Sequence, residues 1–306
     1  YSTYLMPGNK ICKTTRTTTS ITGGGVHGKC QIVNWDGTLA WDFTYSTTNE
    51  VIHHDHCPLP NGNILFICYD QITAAECAAL GRAASTTVRF EKIIEVKPTG
   101  LNTGTVVWEW RFRDHLVQTS DSTKLNYTTA PINRPERFNI NFTTGNIAQD
   151  FIHMNGIDYD PILDQIVFSA HFLNEWYIID HSTTTAEAAT SSGGISGKGG
   201  DFLYRWGNPA NYSATGTKNF NVLHDAHWVK RGVNRAGSVV AINNGGQTTP
   251  TTKSTIDWAK PTLNGYLYNY TVGTALPPAT YDKRLITAGY TSNMGNSEQY
   301  PNGNTM

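Results

Sequence analysis

Leu59-Pro60-Asn61-Gly62-Asn63-Ile64-Leu65 reads as a tight Asn-Gly turn that delivers the chain into an apolar strand. The same pattern returns at Tyr300-Pro301-Asn302-Gly303-Asn304-Thr305-Met306, and a version one residue shorter stands at Met6-Pro7-Gly8-Asn9-Lys10-Ile11-Cys12. A second repeated unit is a turn followed by a Trp-bearing strand. It is clearest in Trp35-Asp36-Gly37-Thr38-Leu39-Ala40-Trp41 and Thr103-Gly104-Thr105-Val106-Val107-Trp108-Glu109-Trp110, and looser in Phe202-Leu203-Tyr204-Arg205-Trp206-Gly207. Apolar strands lie between these units, among them Gln165-Ile166-Val167-Phe168-Ser169-Ala170 and Ser238-Val239-Val240-Ala241-Ile242. Short strands, frequent turns and a recurring aromatic element predict an all-β chain with radial repetition, a β-propeller.

His153 and His224 lie 71 residues apart in similar settings, and the next equivalent position falls near Ser297. A repeat of that length is long for four strands, so the loops must carry insertions. Residues 73–82 are Ala-rich with helical spacing, 114–146 are polar with little periodicity, and 191–200 form a Gly/Ser loop. Surface decoration accounts for such segments, although long loops on one face of a propeller also shape the mouth of its channel. A propeller closes on itself because an open sheet edge invites aggregation. The last turn motif stops at Met306 where its earlier copy runs on into a strand, and Tyr4-Leu5-Met6-Pro7 reads as the middle of a blade. The expectation is one propeller domain over 1–306, truncated at both ends, with about four blades represented.

Composition narrows the function. Lys+Arg is 23 against Asp+Glu 24, a net charge of -1, so the chain has no electrostatic footprint for nucleic acid or an anionic membrane. No stretch approaches the ~20 consecutive apolar residues of a membrane helix. Cys12, Cys30, Cys57, Cys68 and Cys77 contain no C-x-x-C pair, which argues against a zinc ribbon and for disulfides with one thiol left over. Sequons at Asn126, Asn141, Asn211 and Asn269 are compatible with secretion, and a secreted or periplasmic protein is expected.

The ten histidines carry the chemistry. His53-His54-Asp55-His56 precedes the first full turn motif, Phe151-Ile152-His153-Met154-Asn155 precedes the strand pair holding Ser169-Ala170-His171, and Leu223-His224-Asp225-Ala226-His227-Trp228 precedes another strand. Each group falls at the entry of an innermost strand, and such entries converge on a propeller axis. Alternation in an extended segment predicts that His54 and His56 point the same way, whereas only one of His224 and His227 does. Asp55 and Asp225 are expected to orient imidazoles. His27, His115 and His181 lack this context and are expected at the surface or in turns. Zinc or copper ligation by the central cluster is a rival reading. No carboxylate ligand reinforces the His pairs, so no metal ligand and no cofactor is assigned.

The run His-His-Asp followed by Leu-Pro-Asn-Gly-Asn, then Phe-Ile-His-Met-Asn-Gly-Ile-Asp-Tyr-Asp, then Asp-Gln-Ile-Val-Phe-Ser-Ala-His, then His-Asp-Ala-His-Trp resembles the arylsulfotransferase family. The similarity spans roughly Gly24 to Met306, and it is the order and spacing of the motifs that are specific. The resemblance implies an exported six-bladed propeller that moves a sulfuryl group between phenols without a nucleotide donor. It places the nucleophile on His224, the family's H-x-N on His153 and Asn155, and its early histidine on the His53-His54 pair, with His54 favoured. Where the family carries an arginine after the Ser-x of the second strand, this chain has His171.

These roles fit the residue types. An imidazole nitrogen can attack sulfur, giving a sulfohistidine and dividing the transfer into two steps. One neighbouring histidine can protonate the leaving phenolate and later deprotonate the acceptor. His153, Asn155 and a protonated His171 are expected to stabilise the sulfate oxygens, with His53 and His227 also binding substrate. The implied partners are a small phenolic sulfate donor and a phenol acceptor, and a homo-oligomer is compatible with this. Two alternatives stand beside it: a non-catalytic extracellular binding or structural module, and a His-cluster metal-dependent enzyme. The catalytic reading requires His54, His153, His171 and His224 to face one pocket.

Overall fold

The computed structural model describes residues 2–144 and 147–306. Blade 1 is an antiparallel meander of β1 (Thr3–Met6), β2 (Lys10–Arg16), β3 (Gly28–Asn34) and β4 (Leu39–Thr44). Blade 2 follows with β5 (Glu50–Pro58), β6 (Ile64–Ile72), β7 (Val88–Gly100) and β8 (Thr103–Arg111). A short parallel ladder of β9 (Leu116–Val117) and β10 (Phe138–Asn139) then crosses the 114–146 insertion, whose Gly145 and Asn146 lie outside the described residues. Blade 3 comprises β11 (Met154–Asp160), β12 (Gln165–Ala170), β13 (Glu175–Asp180) and β14 (Tyr204–Trp206). Blade 4 comprises β15 (Leu223–Trp228), β16 (Val239–Gln247) and β17 (Lys253–Ala259). A small hairpin, β18 (Leu263–Asn264) with β19 (Leu267–Tyr268), precedes its outermost strand β20 (Lys283–Ile286). The described chain is thus a four-blade propeller arrangement, nearly all β, as the repeats predict.

The repeated motifs have repeated structural jobs. In the β5–β6 turn the Leu59 N–H donates to the Asn63 carbonyl at 2.8 Å, and the Asn61 side chain accepts from the Asn63 N–H at 2.9 Å. Gly62 sits at φ +87°, which a side chain would strain. The second copy reproduces this: Tyr300 N–H to Asn304 carbonyl at 2.8 Å, Asn304 N–H to Asn302 side chain at 3.0 Å, and Gly303 at φ +85°.

The tryptophans latch each blade to the next. Trp41 on β4 donates its indole N–H to the Thr103 carbonyl at 2.9 Å, Trp110 on β8 to Gly200 at 2.8 Å, and Trp206 on β14 to the Pro278 carbonyl at 2.6 Å. Each ring is buried, so each latch combines apolar burial with a satisfied indole donor. Apolar side chains of facing blades fill the space between them: Trp41 and Phe43 with Ile64 and Phe66 between blades 1 and 2, Phe90 and Trp110 with Phe168 and Tyr177 between blades 2 and 3.

The insertions acquire local order from their own sequence. Residues 73–82 hold α1 (Ala74–Ala79), started by a capping box in which the Thr73 side chain accepts from Glu76 N–H and the Glu76 carboxylate accepts from Thr73 N–H. Thr184 and Glu187 form the same box at α2 (Thr185–Ala188).

Several expectations are corrected. All five cysteines are free and buried. Cys12 and Cys30 come closest, with sulfurs 3.5 Å apart, well beyond the ~2.04 Å of a covalent bridge. Cys57, Cys68 and Cys77, buried on β5, β6 and α1, fill space as small apolar residues. Asn211 is 3% exposed and donates to the Leu173 carbonyl and to Glu175, so that sequon is closed to modification. His27, His115 and His181 lie between strands, as expected, but none is at the surface. His27 and His115 are buried, and His115 bonds Asp201 at 2.8 Å and the Ala188 carbonyl at 2.9 Å.

His181 ties blade 3 to blade 2, with Nδ1 on Asp164 at 2.7 Å and Nε2 on Glu95 at 3.1 Å. Burial alone would lower its pKa, but the two carboxylates outweigh burial and raise it to about 9. A raised folded-state pKa stabilises fully below the unfolded value near ~6.5, and that stabilisation disappears as pH climbs through about 9. The Tm deficit of His181→Gln is therefore expected to be largest near pH 6 and to shrink by pH 10. A deficit that does not change with pH would contradict the assignment.

Candidate functional site: a histidine-lined axial cavity

The inner strands β5, β11 and β15 are not regular. Each carries, or in β11 is directly preceded by, a residue in the left-handed region at or beside a break in pairing with its neighbour: His54 (φ +50°), His153 (φ +57°) and Asp225 (φ +57°). The breaks are β-bulges, which re-aim side chains at the cost of ladder hydrogen bonds. The predicted alternation fails for this reason. His54 faces the axis while His56 turns toward blade 1, where its Nδ1 meets Ser2 Oγ at 2.7 Å. His224 and His227, three residues apart, both line the same cavity.

That cavity has a volume of about 530 Å³, and its walls include Tyr4, His54, Asn155, His224, His227 and the segment 294–298. A larger groove of about 770 Å³ between blades 3 and 4 holds none of the histidines. His153 and His171 stand beside the axial cavity rather than in its wall, linked to it by ring contacts. Centroid separations are 4.5 Å for His54–His153, 5.4 Å for His153–His171 and 5.0 Å for His171–His224, all steeply inclined. The four histidines of the catalytic reading thus form one continuous run across three blades.

His224 has a defined tautomer. The Asn244 side-chain N–H donates to the Met294 carbonyl at 2.8 Å, so its oxygen faces His224 Nδ1 at 2.7 Å and requires a proton there. The lone pair is then on Nε2, where it accepts the Met294 N–H at 3.1 Å. Burial lowers the His224 pKa, with only partial relief from Asn244, so the ring is neutral.

Burial, reinforced by the neighbouring His224 and His153 imidazoles, depresses His171 to about 4, which corrects the expectation that it is protonated. The cationic ring is His227. Burial opposes its charge, but Asp225 raises its pKa to about 9, through the Asp225 carbonyl at 3.0 Å and carboxylate at 3.3 Å from Nδ1. Asp225 therefore orients an imidazole as expected, whereas Asp55 instead accepts from the Tyr4 hydroxyl at 2.8 Å and from the Ile157 N–H at 3.1 Å.

Two other candidates move. His53 is 1% exposed and sits behind His54, its Nδ1 2.8 Å from His54 Nδ1 and its Nε2 2.7 Å from Glu91, so it cannot touch substrate. Burial raises the Glu91 pKa and lowers that of His53, which leaves the pair sharing a proton without net charge. Asn155 reaches the cavity, but both ends of its amide are engaged: it donates to the Leu223 carbonyl at 2.7 Å and accepts from Ser169 Oγ at 2.6 Å. It stitches blade 3 to blade 4. Carboxylates make comparable stitches, with Asp158 accepting from Trp228 N–H at 2.9 Å and Asp225 from Ser297 N–H at 2.9 Å.

Sequence reasoning missed Asn244, Asp150 and Gly25. Asp150 accepts from His153 Nδ1 at 2.7 Å and from the Tyr69 hydroxyl at 3.0 Å. Burial would raise its pKa, but these bonds hold it below the ordinary carboxylate value. Gly25 covers His54: at φ +68°, a Cβ there would stand 2.3–2.4 Å from three ring atoms. The Gly23-Gly24-Gly25 run was the available signal, since consecutive glycines mark close backbone approach.

Four-stranded blades around a cavity with aligned histidines define a β-propeller with a polar axial centre. Residues 28–306 match the model of the family Arylsulfotransferase (ASST), and the protein belongs to that family. No curated protein matches the sequence. Among solved structures it is similar to a protein of unknown function from Bacteroides caccae. The identity is 10% and the TM-score 0.37, over 92% of this chain and 63% of that one, so this chain spans under two thirds of its length.

Proposed function

We propose that the protein transfers a sulfuryl group from an aryl sulfate to a phenol through His224. Family membership supports sulfuryl transfer, and the observation that carries the residue assignment is the fixed His224 tautomer: Nδ1–H on Asn244, with the Nε2 lone pair at the cavity. Nε2 attacks sulfur, the new N–S bond forms as the S–O bond to the arene breaks, and the electron pair leaves on the phenolate oxygen. The acceptor phenol then loses its proton, attacks the same sulfur and returns His224 to its starting state. His54, in the cavity wall, is the nearby imidazole that exchanges the phenolic proton.

Attack requires the Met294 N–H to leave the lone pair it now occupies. Met294 is 69% exposed, and once displaced its amide can donate to a sulfate oxygen. His227, paired with Asp225, and Lys230, paired with Glu298, are the cationic groups of the same cavity. A secreted or periplasmic location belongs to this reading and rests on the family resemblance, with no support from disulfides. Among the described residues no helix is long and apolar enough to cross a membrane.

One observation favours a second reading, a non-catalytic module: His171, in the family's arginine position, is neutral and cannot clamp sulfate as a guanidinium does. The deciding experiment is 4-nitrophenol release from 4-nitrophenyl sulfate with and without phenol. Release that depends on phenol supports transfer. Its absence from folded protein overturns transfer in favour of the module.

A further inference from the structure

His56 is the histidine of the central motif that the axial cavity does not use. The bulge at His54 turns it out of the cavity and toward blade 1, where β2 and β3 present Cys12 and Cys30. One ligand atom from each of Cys12, Cys30 and His56 lies within 4.8 Å of the other two, and all three residues are fully buried. His56 Nδ1 is taken by Ser2 Oγ at 2.7 Å, which leaves Nε2 as the donor atom available to a cation. That Nε2 is buried without a hydrogen-bond partner. A buried imidazole nitrogen without a partner calls for an explanation. Thr14, which pairs with Cys30 and so shares its face of the sheet, likewise has a buried hydroxyl without a partner.

The two sulfurs are 3.5 Å apart, which suits adjacent ligands of one ion better than a covalent bridge. Thiolate is the ligating form of cysteine.

We propose that Cys12, Cys30 and His56 form a structural site for a thiophilic d10 cation, Cu(I) or Zn(II), that pins blade 1 to the inner strand of blade 2. Two thiolates and one imidazole in a dry pocket match the three-coordinate preference of a soft monovalent ion. Zn(II) would take a fourth oxygen ligand, for which the Thr14 hydroxyl shares the sheet face. Binding replaces the thiol protons with metal–sulfur bonds and releases them to solvent, with no change of oxidation state. The site lies outside the axial cavity, two residues from His54, and it does not depend on the sulfuryl-transfer reading.

The test uses the reduced, folded full chain prepared without oxygen, offered Zn(II) alone or Cu(I) alone, desalted and assayed for bound metal. About one equivalent per chain of at least one ion is expected, bound through two sulfurs and one nitrogen by X-ray absorption, with a raised Tm. Cys30→Ser and His56→Ala are expected to lose the metal, while Cys77→Ser, on α1, keeps it. A variant that unfolds loses metal trivially, so the sulfur and nitrogen ligands of the ion in the wild-type chain are the decisive reading. Retention of zinc alone selects the four-coordinate form and retention of copper the three-coordinate form. Folded reduced protein that holds neither ion, or a Cys12–Cys30 disulfide that forms with either ion present, overturns the proposal.

Discussion

His224→Ala is expected to abolish phenol-dependent sulfuryl transfer, with a loss on the order of 10⁴-fold or more in kcat, the scale seen when a covalent nucleophile is removed. The fold should survive. The ring is 8% exposed, and its truncation forfeits the Asn244 hydrogen bond and some packing, about 1–2 kcal/mol in all. A distinct outcome is expected for Asn244→Leu. Nδ1 then loses its acceptor and the tautomer is no longer fixed, so kcat should fall by about 10-fold or more while His224 remains in place. If His224→Ala retains transfer at wild-type rates, the assignment of the nucleophile is wrong, whatever the activity of the protein.

The largest effect on stability is expected at a position far from the axis. Arg205 on β14 is fully buried. Its guanidinium donates twice to Glu175 on β13, once at 3.1 Å from Nε, and once from Nη1 to the Arg137 carbonyl at 3.1 Å. Tyr212 packs against its face with the ring centroid 4.5 Å away. Glu175 is also 0% exposed and accepts from the Tyr177 hydroxyl at 2.7 Å and Asn211 at 2.8 Å. Arg205→Met keeps much of the stem's volume but leaves a buried carboxylate without its counter-charge, which costs about 3–5 kcal/mol. For a chain of this size, that lowers Tm by roughly 5–15 °C. The double variant Arg205→Met/Glu175→Gln should recover a large part of the loss, because the uncompensated charge is gone. Equal Tm values for Arg205→Met and wild type would show that the pair contributes nothing net.

The propeller was legible in the sequence because its blades repeat. The Asn-Gly turn marks the first hairpin of a blade, and Trp41, Trp110 and Trp206 mark outermost strands because each must latch the next blade. That His54, His153, His171 and His224 lie near one another followed from the same periodicity, but that only His54 and His224 of the four reach the cavity wall did not. Which way each ring points did not, because simple alternation has no means of anticipating bulges at His54, His153 and Asp225. Charge state was equally hidden. Burial and the neighbouring rings keep His171 neutral, whereas the adjacent Asp225 keeps His227 charged, and both effects depend on three-dimensional neighbours. The cysteines misled for a related reason: an odd count with no C-x-x-C pair suggested disulfides, yet the strands place them as buried thiols.

The central claim is that His224 carries the sulfuryl group between donor and acceptor. Its most direct test is to incubate the protein with an aryl sulfate in the absence of acceptor, quench under alkaline conditions, and read the peptide containing His224 by mass spectrometry. The account predicts one added sulfuryl group on His224, discharged when phenol is supplied and absent from His224→Ala. Turnover without that adduct, or an adduct on a different histidine, would contradict it.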